Sequence, residues 1–347
     1  ADMYAGRPER MKQVNEALVR EALSARGRAT KAQLGADTGL SLPTVSQAMA
    51  ALSARGEIRA AGMTPSSGGR KATEYELDES AGTVYAIALE RDRIDWAMAN
   101  ALGTVVSTGG RLVRSDPVTE AVELVGAMGR DAVIRSSERV VLAIGVPGAV
   151  QDGRVITGHF EERWYDTDIA EYFSERTGLP VVVENDINAA ALGYERRLAS
   201  VGQRPHSLVY VYVSGTCTGS GIVVGGQVAR GAAHFAGELD YLPVGGGLTL
   251  RDALAGAADD GRVVDAVASA LAAVNCVVNP ALFVVGGPGF RFDLSDAVEA
   301  EFKARVPASV RPRLAFERDV TPHYLNGLCG LALDRMFSSF RLVSGGS

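Results

Sequence analysis

Residues 30–71 constrain the fold most, because they combine two short helix patterns with a basic loop. Thr30 can cap a first helix that Gly39 would end, and Ser41 can cap a second helix. In the second helix, apolar residues recur at spacings of three and four, which predicts one buried stripe. They are Leu42, Val45, Met49 and Leu52. The pattern predicts two helices joined by a tight turn.

The opposite side of the second helix carries small hydroxyl and amide side chains near its N-terminus. Backbone N–H groups at this end of a helix favour phosphate, so this side suits a DNA groove. The candidate DNA-contacting residues here are Ser41, Pro43, Thr44, Ser46 and Gln47. Two short helices joined by a turn also occur in ordinary helical bundles, and this remains the alternative for these helices alone.

The residues that follow favour a winged helix-turn-helix. Residues 57–61 and 73–77 predict two paired strands, and the loop between them ends in Arg70 and Lys71. A basic hairpin tip suits contact with phosphates or with the minor groove. We therefore expect Thr44, Ser46 and Gln47 to contact bases, with Arg70 and Lys71 on the DNA backbone.

The charge distribution agrees with this interpretation. Residues 1–71 contain 11 Lys and Arg against 6 Asp and Glu, whereas the rest of the chain contains 24 against 35. A basic head on an acidic protein favours local DNA contact over general binding to polyanions.

The remainder of the chain predicts an α/β fold in two similar halves. From Thr83 onward, each half begins with several strands and continues with alternating helices and buried strands. Such a duplication implies a cleft between two lobes. We expect a DNA-binding domain at residues 1–78, a first lobe at 79–200, and a second lobe with the dimerisation surface at 201–347.

Several classes of protein are disfavoured by composition. The sequence lacks an evident apolar run of the roughly 20 residues that span a bilayer, and no signal-peptide pattern is evident. Cys217, Cys276 and Cys329 are isolated from one another, so they predict neither a disulfide framework nor a CxxC site. We expect a cytoplasmic protein without membrane, metal or cofactor.

Four motifs in the second part carry a family resemblance. They are GVPG at 145–148, ENDINAAALG at 184–193, GTCTGSGIVVGGQVARGAAHFAGEL at 215–239 and VVGGPG at 284–289. In this order, behind a winged head, they resemble the ROK family, which groups sugar-responsive bacterial repressors with sugar kinases. The resemblance implies a duplicated actin/hexokinase-like (ribonuclease H-like) domain with a sugar site in its cleft. It also implies dimers or tetramers.

The kinases of this family resemble one another in an Asp-x-Gly-Gly-Thr turn whose glycines admit the phosphates of ATP. Here Ala88 stands in place of the Asp, and residues 90–92 read Glu-Arg-Asp. Acidic and bulky side chains disfavour phosphate, so we expect the phosphate loop to be lost and the protein not to be an enzyme. Gly215, Gly219 and Gly221 remain from a second phosphate segment, although glycines there can equally serve a strand turn.

The resemblance also implies effector-binding residues. Asp186 matches the family's catalytic base, while Asn185 and Glu238 match residues that contact sugar hydroxyls. Asn185 or Asp186 could instead cap a helix. His234 could line the cleft, although a lone histidine is more often a satisfied polar residue. The fifth candidate is Tyr241.

Tyr241 also marks a departure from the family. Many members have a zinc site built from a His at this place and a cysteine cluster after it, and residues 242–255 contain no cysteine. A zinc site of that kind is not expected, and the pocket takes a different ligand or none.

The sequence thus predicts a DNA-binding transcriptional regulator, most simply a repressor of carbohydrate-related genes. Its expected partners are a pseudo-palindromic double-stranded operator, a sugar or sugar derivative as effector, and further copies of itself in a homodimer or homotetramer. The alternatives are a ligand-independent dimeric repressor and, less favoured, an ATP-dependent sugar kinase.

Overall fold

The computed structural model describes residues 7–63, 71–129, 139–158, 162–255 and 259–337 of the 347-residue chain. Within these ranges the secondary structure falls into a small N-terminal head and two larger α/β lobes. The boundaries at residues 78 and 200 that we expect from the sequence remain predictions.

The head is a winged helix-turn-helix. Its elements are α1 (Arg7–Arg26), β1 (Arg28–Thr30), α2 (Lys31–Thr38), α3 (Leu42–Ala54), β2 (Ile58–Met63) and β3 (Thr73–Leu77). Strand β3 lies between β1 and β2, and both pairings are antiparallel. The expected caps are present: Thr30 forms a capping box with Gln33, and Gly39 ends α2 in the left-handed conformation with φ 69°.

The core of the head forms where α1, α2 and α3 meet. Val45, Met49 and Leu52 of α3 are buried there together with Leu34 of α2. Leu42 does not join them: 55% of its surface is exposed, so the expectation that it belongs to the buried stripe is wrong. Leu42 is the first residue of α3 and is followed by Pro43. No helical turn precedes it that could pack beside its side chain and bury it.

The first lobe is built on a five-stranded mixed sheet. Its strands are β4 (Thr83–Leu89), β5 (Arg93–Asn100), β6 (Val105–Leu112), β7 (Val140–Val146) and β10 (Val181–Asn185), in the spatial order β10-β7-β4-β5-β6. Strands β4, β5 and β6 form an antiparallel meander, whereas β4, β7 and β10 are parallel. The lobe also contains α4 (Pro117–Met128), the hairpin β8 (Gly148–Gln151) and β9 (Arg154–Gly158), and α5 (Ile169–Thr177).

The second lobe repeats this plan after α6 (Asp186–Ser200). Its strands are β11 (Ser207–Val213), β12 (Thr218–Val224), β13 (Gln227–Val228), β16 (Leu282–Gly286) and β17 (Arg313–Glu317), in the order β13-β12-β11-β16-β17. Again three strands form an antiparallel meander, the first of them pairs in parallel with β16, and β16 pairs in parallel with β17. The duplicated α/β fold expected from the sequence is therefore present.

Other elements of the second lobe are β14 (Pro243–Gly245), β15 (Leu248–Thr249), α7 (Leu250–Leu254), α8 (Asp260–Val278) and α9 (Ser295–Arg305). The last helix, α10 (Thr321–Phe337), packs on the sheet of the first lobe. Helix α8 is long and apolar enough, by length and composition, to cross a membrane. This corrects the expectation that no segment reaches that length. Here α8 contributes Val263, Val267 and Leu271 to the core of the second lobe.

Helices α6 and α10 pack directly against each other beside both sheets. At Gly193 of α6, a Cβ atom would lie only 1.8 Å from the carbonyl oxygen of His323. Asn326 of α10 fixes the contact by donating to the carbonyl of Gly193 at 2.9 Å. Glycine is required because no other residue permits the two backbones to come this close.

Candidate functional site

The outward side of α3 presents the residues that the sequence analysis assigned to DNA. Ser41, Pro43 and Gln47 are exposed, and Thr44 and Ser46 are half-buried. Ser41 caps the helix by accepting from the backbone N–H of Thr44 at 3.4 Å, and the two hydroxyls lie 2.8 Å apart. All five candidates therefore lie near the N-terminal end of α3, opposite its buried stripe.

The hairpin of the head also follows the expected plan. Lys71 is exposed at the start of the segment that leads into β3. Arg70 and the rest of the hairpin tip, residues 64–70, lie outside the described residues. The roles of Lys71 and Arg70 in DNA contact stay predictions.

In the cleft between the lobes, the candidate residues gather at the N-terminus of α6. Asn185 caps this helix by accepting from the N–H of Asn188 at 2.9 Å, so the structural alternative for Asn185 is present. Its amide nitrogen donates to the carbonyl of Gly148 at 3.0 Å and to Asp186 Oδ1 at 2.8 Å. The same Asp186 oxygen accepts from the N–H of Ile187 at 2.8 Å. These bonds orient the amide and the carboxylate at the edge of the cleft.

Two contacts cross the cleft from the loop that follows β13. The guanidinium of Arg230 pairs with the buried carboxylate of Glu184, which also accepts from Asn188 Nδ2 at 3.2 Å. His234 donates through Nδ1–H to the carbonyl of Val150 in β8 at 2.7 Å. Its backbone is in the left-handed region with φ 56°, which is rare for a residue with a side chain. Both contacts hold the loop against the first lobe.

These contacts leave a cavity of about 10 Å³ between the lobes, which is about the space of one water molecule. Asn185, His234 and Glu238 line this cavity together, whereas Asp186 is not among the residues that line it. Their role in binding an effector stays a prediction. The other polar residues that line the cavity are Asn188, Ser220 and Arg230.

Tyr241 does not line this cavity. It is 58% exposed, and its ring lies 5.5 Å from that of Phe235, with the guanidinium of Arg251 5.5 Å above it. The structure therefore separates Tyr241 from the three candidates that line the cavity and from Asp186, which is bonded to Asn185. Trp164 donates through Nε1–H to Asp116 at 3.1 Å and packs edge-on to Tyr172.

Burial and mutual repulsion disfavour the charged form of several cleft carboxylates. Burial raises the pKa of Asp186 to about 7, and the nearby charge of Glu238 adds to the shift. Burial likewise raises the pKa of Glu90 to about 8, with further contributions from Asp186, Asp92 and Asp95. Burial and Asp240 also raise the pKa of Glu238. At neutral pH Asp186 and Glu90 are therefore partly protonated, and a protonated carboxyl can donate a hydrogen bond as well as accept one.

The glycines of the second phosphate segment pack strand β12 against α6. A Cβ on Gly219 would lie 2.6 Å from Ile187 Cδ1, and one on Gly221 would lie 2.5 Å from the Ile187 carbonyl oxygen. This is the structural alternative that the sequence analysis left open. Gly289, in the last family motif, is packed in the same way, because a Cβ there would lie 2.1 Å from the carbonyl oxygen of Ser214.

The sequence analysis missed Glu184, Asn188, Ser220 and Arg230 as cleft residues. The sequence did contain a signal for Glu184 and Arg230, because Glu184 lies in the motif at 184–193 and Arg230 in the motif at 215–239. Their pairing depends on how the lobes meet, however, and no local pattern reports that.

Comparison with known sequences supports the family resemblance. Residues 84–253 match the ROK family model. A putative xylose repressor from Caldicellulosiruptor sp. (strain Rt8B.4) is 28% identical over 241 residues, which cover 67% of this chain and 59% of the repressor. This chain thus matches less than two thirds of that protein's length. A glucokinase from Streptomyces coelicolor is 37% identical over 107 residues, or 30% of this chain and 32% of the kinase.

Comparison with solved structures supports the fold. A ROK family transcriptional regulator, described as a homologue of the E. coli MLC protein, superposes with a TM-score of 0.74 at 17% identity. The match covers 96% of this chain and 100% of that one. Therefore the head and both lobes occur together in a known ROK structure, and residues 84–253 of this chain form a ROK family domain.

Proposed function

We propose that this protein is a DNA-binding transcriptional regulator, most simply a repressor, whose ROK domain binds a sugar-like effector. The observation that carries the proposal is the polar outward side of α3, at Ser41 to Gln47, on a winged head joined to a two-lobed domain. A helix with this side free can enter a major groove, and the wing can reach the backbone beside it. The similarity to xylose repressors supports this function.

The same proposal includes a pair of heads. A protein that recognises a pseudo-palindrome presents two reading heads, so we propose a homodimer or homotetramer that acts in the cytoplasm. The apolar end of α8, where Val277 is 86% exposed, offers surface for such association.

We further propose that the ROK domain does not transfer phosphate. Glu90, which stands where the kinases of the family have a glycine, is half-buried among other acidic groups. A carboxylate there repels the phosphates of ATP whenever it is ionised. Gly219 and Gly221 pack against α6, and this packing accounts for the two glycines without a phosphate.

The effector site is the cleft at the N-terminus of α6. Asn185, Asp186, His234 and Glu238 supply planar amide, carboxyl and imidazole groups that can bond to the hydroxyls of a sugar. The cavity of about 10 Å³ is too small for a sugar, so the lobes have to separate before one enters. Sugar entry would then alter the relative position of the lobes, which is the change that a regulator needs.

Two alternatives have specific support. The raised pKa of Asp186 and the similarity to a glucokinase over 107 residues suit a sugar kinase. The small cavity and the exposed Tyr241 suit a dimeric repressor without an effector. ADP release over a panel of sugars, lost in Asp186→Asn, would favour the kinase. Failure of every sugar tested to shift the thermal unfolding midpoint would favour the effector-free repressor.

The main experiment is an in vitro selection from random duplex DNA with the full chain, followed by fluorescence anisotropy on the selected site. We expect a two-fold symmetric sequence whose affinity falls steeply as salt rises. D-xylose and D-glucose are then added to the complex, and release of the DNA by one of them supports an effector role. If folded protein enriches no sequence, the proposal of a DNA-binding regulator is wrong.

A further inference from the structure

Glu57 joins the head to the first lobe through a shared buried carboxylate. It lies between α3 and β2, and only 3% of its surface is exposed. Within the head it accepts from Arg20 Nε at 3.1 Å and from Arg55 Nε at 2.6 Å. Arg139, which directly precedes β7 of the first lobe, donates to the same carboxylate through Nη1 at 3.3 Å. One side of the head is therefore fastened to the lobe by charge.

The end of α10 reaches the same place. The guanidinium carbon of Arg20 lies 5.0 Å from the ring centroid of Phe337, within the range of a cation–π interaction. The preceding residue, Met336, lies so close to Gly82 that a Cβ there would be 2.3 Å from its sulfur. Helix α10 thus touches both the head and the segment that connects the head to β4.

The other side of the head is separated from the first lobe by a groove of about 380 Å³. Residues lining it include Leu23, Ser24, Arg59, Glu76, Glu79 and Leu102. Because the head is fastened on one side and has a groove on the other, it has room to tilt about residues 78–82. Loss of the Glu57 contacts would release the head on the side where it is bonded to the first lobe.

The helix that reaches the head is tied to the cleft. Gly193 and the backbone of His323 leave no space between α6 and α10, and Asn326 bonds the two helices. The first turn of α6 carries the cleft residue Asp186, with Asn185 as its cap. A displacement of α6 when the lobes separate therefore acts directly on α10, because closely packed helices cannot absorb it by compression. Helix α10 also packs on β4 and β7 of the first lobe.

We propose that α6 and α10 act as a lever that links the cleft to the orientation of the reading head, with Glu57 as the contact that is made or released. This inference rests on the proposed function, since it names how the effector site controls DNA binding. When the lobes are closed, Arg139 and Phe337 hold the head. When they separate, α10 withdraws and the head is released to tilt.

Hydrogen exchange of the full chain, measured by mass spectrometry without DNA, tests the contact. The N–H of Asp78 donates to the carbonyl of Glu57 at 2.9 Å and so reports directly on this junction. In Arg139→Leu and in Phe337→Ala we expect this amide to exchange about tenfold faster, because the local opening that exposes it becomes easier. The control is Arg154→Leu, which removes a 3.4 Å ion pair with Asp168 inside the first lobe.

Unchanged exchange at Asp78 in both variants, or an equal increase in the Arg154→Leu control, would overturn the proposal. Because no operator is used, this outcome is independent of whether the DNA selection succeeds. If the selection fails and exchange at Asp78 still increases, the contact between the head and the first lobe stands and only the DNA-binding function is lost.

A second variant tests transmission through the lever. Asn326→Ala removes the bond between α10 and α6 without touching the head, and it is a milder change than a substitution at the glycine contact. We expect faster exchange at Asp78 here as well, with circular dichroism unchanged. An increase confined to α6 and α10 would show that the head does not respond to these helices.

Discussion

Gly327 of α10 lies against Ala189 of α6 so closely that a Cβ on the glycine would be 1.8 Å from the alanine's carbonyl oxygen. Together with Gly193, which faces His323 in the same way, it makes a crossing in which backbone meets backbone. Both helices take part in the core shared by the two lobes, so this crossing fixes how the lobes are joined.

Gly327→Ala should destabilise the protein by about 1–3 kcal/mol or more, since one methyl group there has no space and the backbones must separate. Urea unfolding followed by circular dichroism measures the loss. The matched control is Gly126→Ala in α4, where none of the described residues lies within 4 Å of the new Cβ. At that exposed helix position alanine should stabilise by roughly 0.5–1 kcal/mol. Equal effects of the two variants would contradict the tight crossing.

Gln47→Ala and Lys71→Ala should weaken DNA binding in different ways. Gln47 is exposed on α3 and suits a base edge, so its loss should reduce discrimination between operator and mismatched sites by about 1–3 kcal/mol. Lys71 suits a phosphate, so its loss should lower affinity for all sequences and reduce the salt slope by about 1. Anisotropy titrations at several salt concentrations separate the two. A uniform loss on all sequences for Gln47→Ala would mean that it does not contact bases.

Glu90→Gln should make the protein more stable than the parent at high pH. The pKa of Glu90 is raised to about 8 by burial, against about 4.3 in an unfolded chain. Between these values the folded state binds the extra proton, so stability falls as pH rises. Glutamine does not titrate, so the advantage of the variant should increase from pH 5 to pH 8.5, by about 1.4 kcal/mol for each unit of pKa difference.

Urea unfolding of both proteins across this pH range measures the effect, with Glu21→Gln on the exposed side of α1 as the control. If the stability curves of parent and Glu90→Gln run parallel, Glu90 is not a buried acid.

Arg251→Leu should destabilise the loop that follows Glu238. Asp240, which is 4% exposed, accepts from the N–H of Thr218 at 2.7 Å and from Arg251 Nε at 2.9 Å. Loss of the arginine leaves a buried carboxylate short of donors, at a cost of about 1.5–3 kcal/mol. Thermal unfolding should show the loss, and the added change Asp240→Asn should recover part of it.

The same loop gives an expected result for metal removal. The Asp240–Arg251 ion pair lies in the segment where the family resemblance implies a cysteine cluster and this chain has no cysteine. EDTA should therefore leave the unfolding midpoint of the parent unchanged. A lower midpoint in EDTA would point to a bound metal and would contradict the expectation of no zinc.

Features determined by neighbouring residues could be predicted from the sequence. The caps at Thr30, Gly39 and Ser41 use side chains and backbone groups within three residues, so the helices of the head were placed correctly. The repeated strand and helix patterns likewise gave the duplicated fold. Leu42 was wrong because spacing along a helix does not say whether a neighbour exists to cover its first turn.

Contacts between distant residues could not be predicted in the same way. Arg230 and Glu184 are 46 positions apart, and Arg139 and Glu57 are 82 apart. Each pair depends on how one domain lies against another, which periodicity does not encode. The motif resemblance brought Asn185, Asp186 and Glu238 to one cleft, but it did not separate Tyr241 from them.

The two bonds that cross the cleft, from Arg230 and from His234, have a kinetic consequence. If a sugar binds in the small space between the lobes, as we propose, these bonds have to break first, so capture has to wait for an opening event of the protein itself. The observed association rate should then rise with sugar concentration only to a plateau, and the plateau equals the opening rate. If the proposed function holds, the response of the protein to a sudden supply of sugar is thus limited by two hydrogen-bonded contacts, however abundant the sugar becomes.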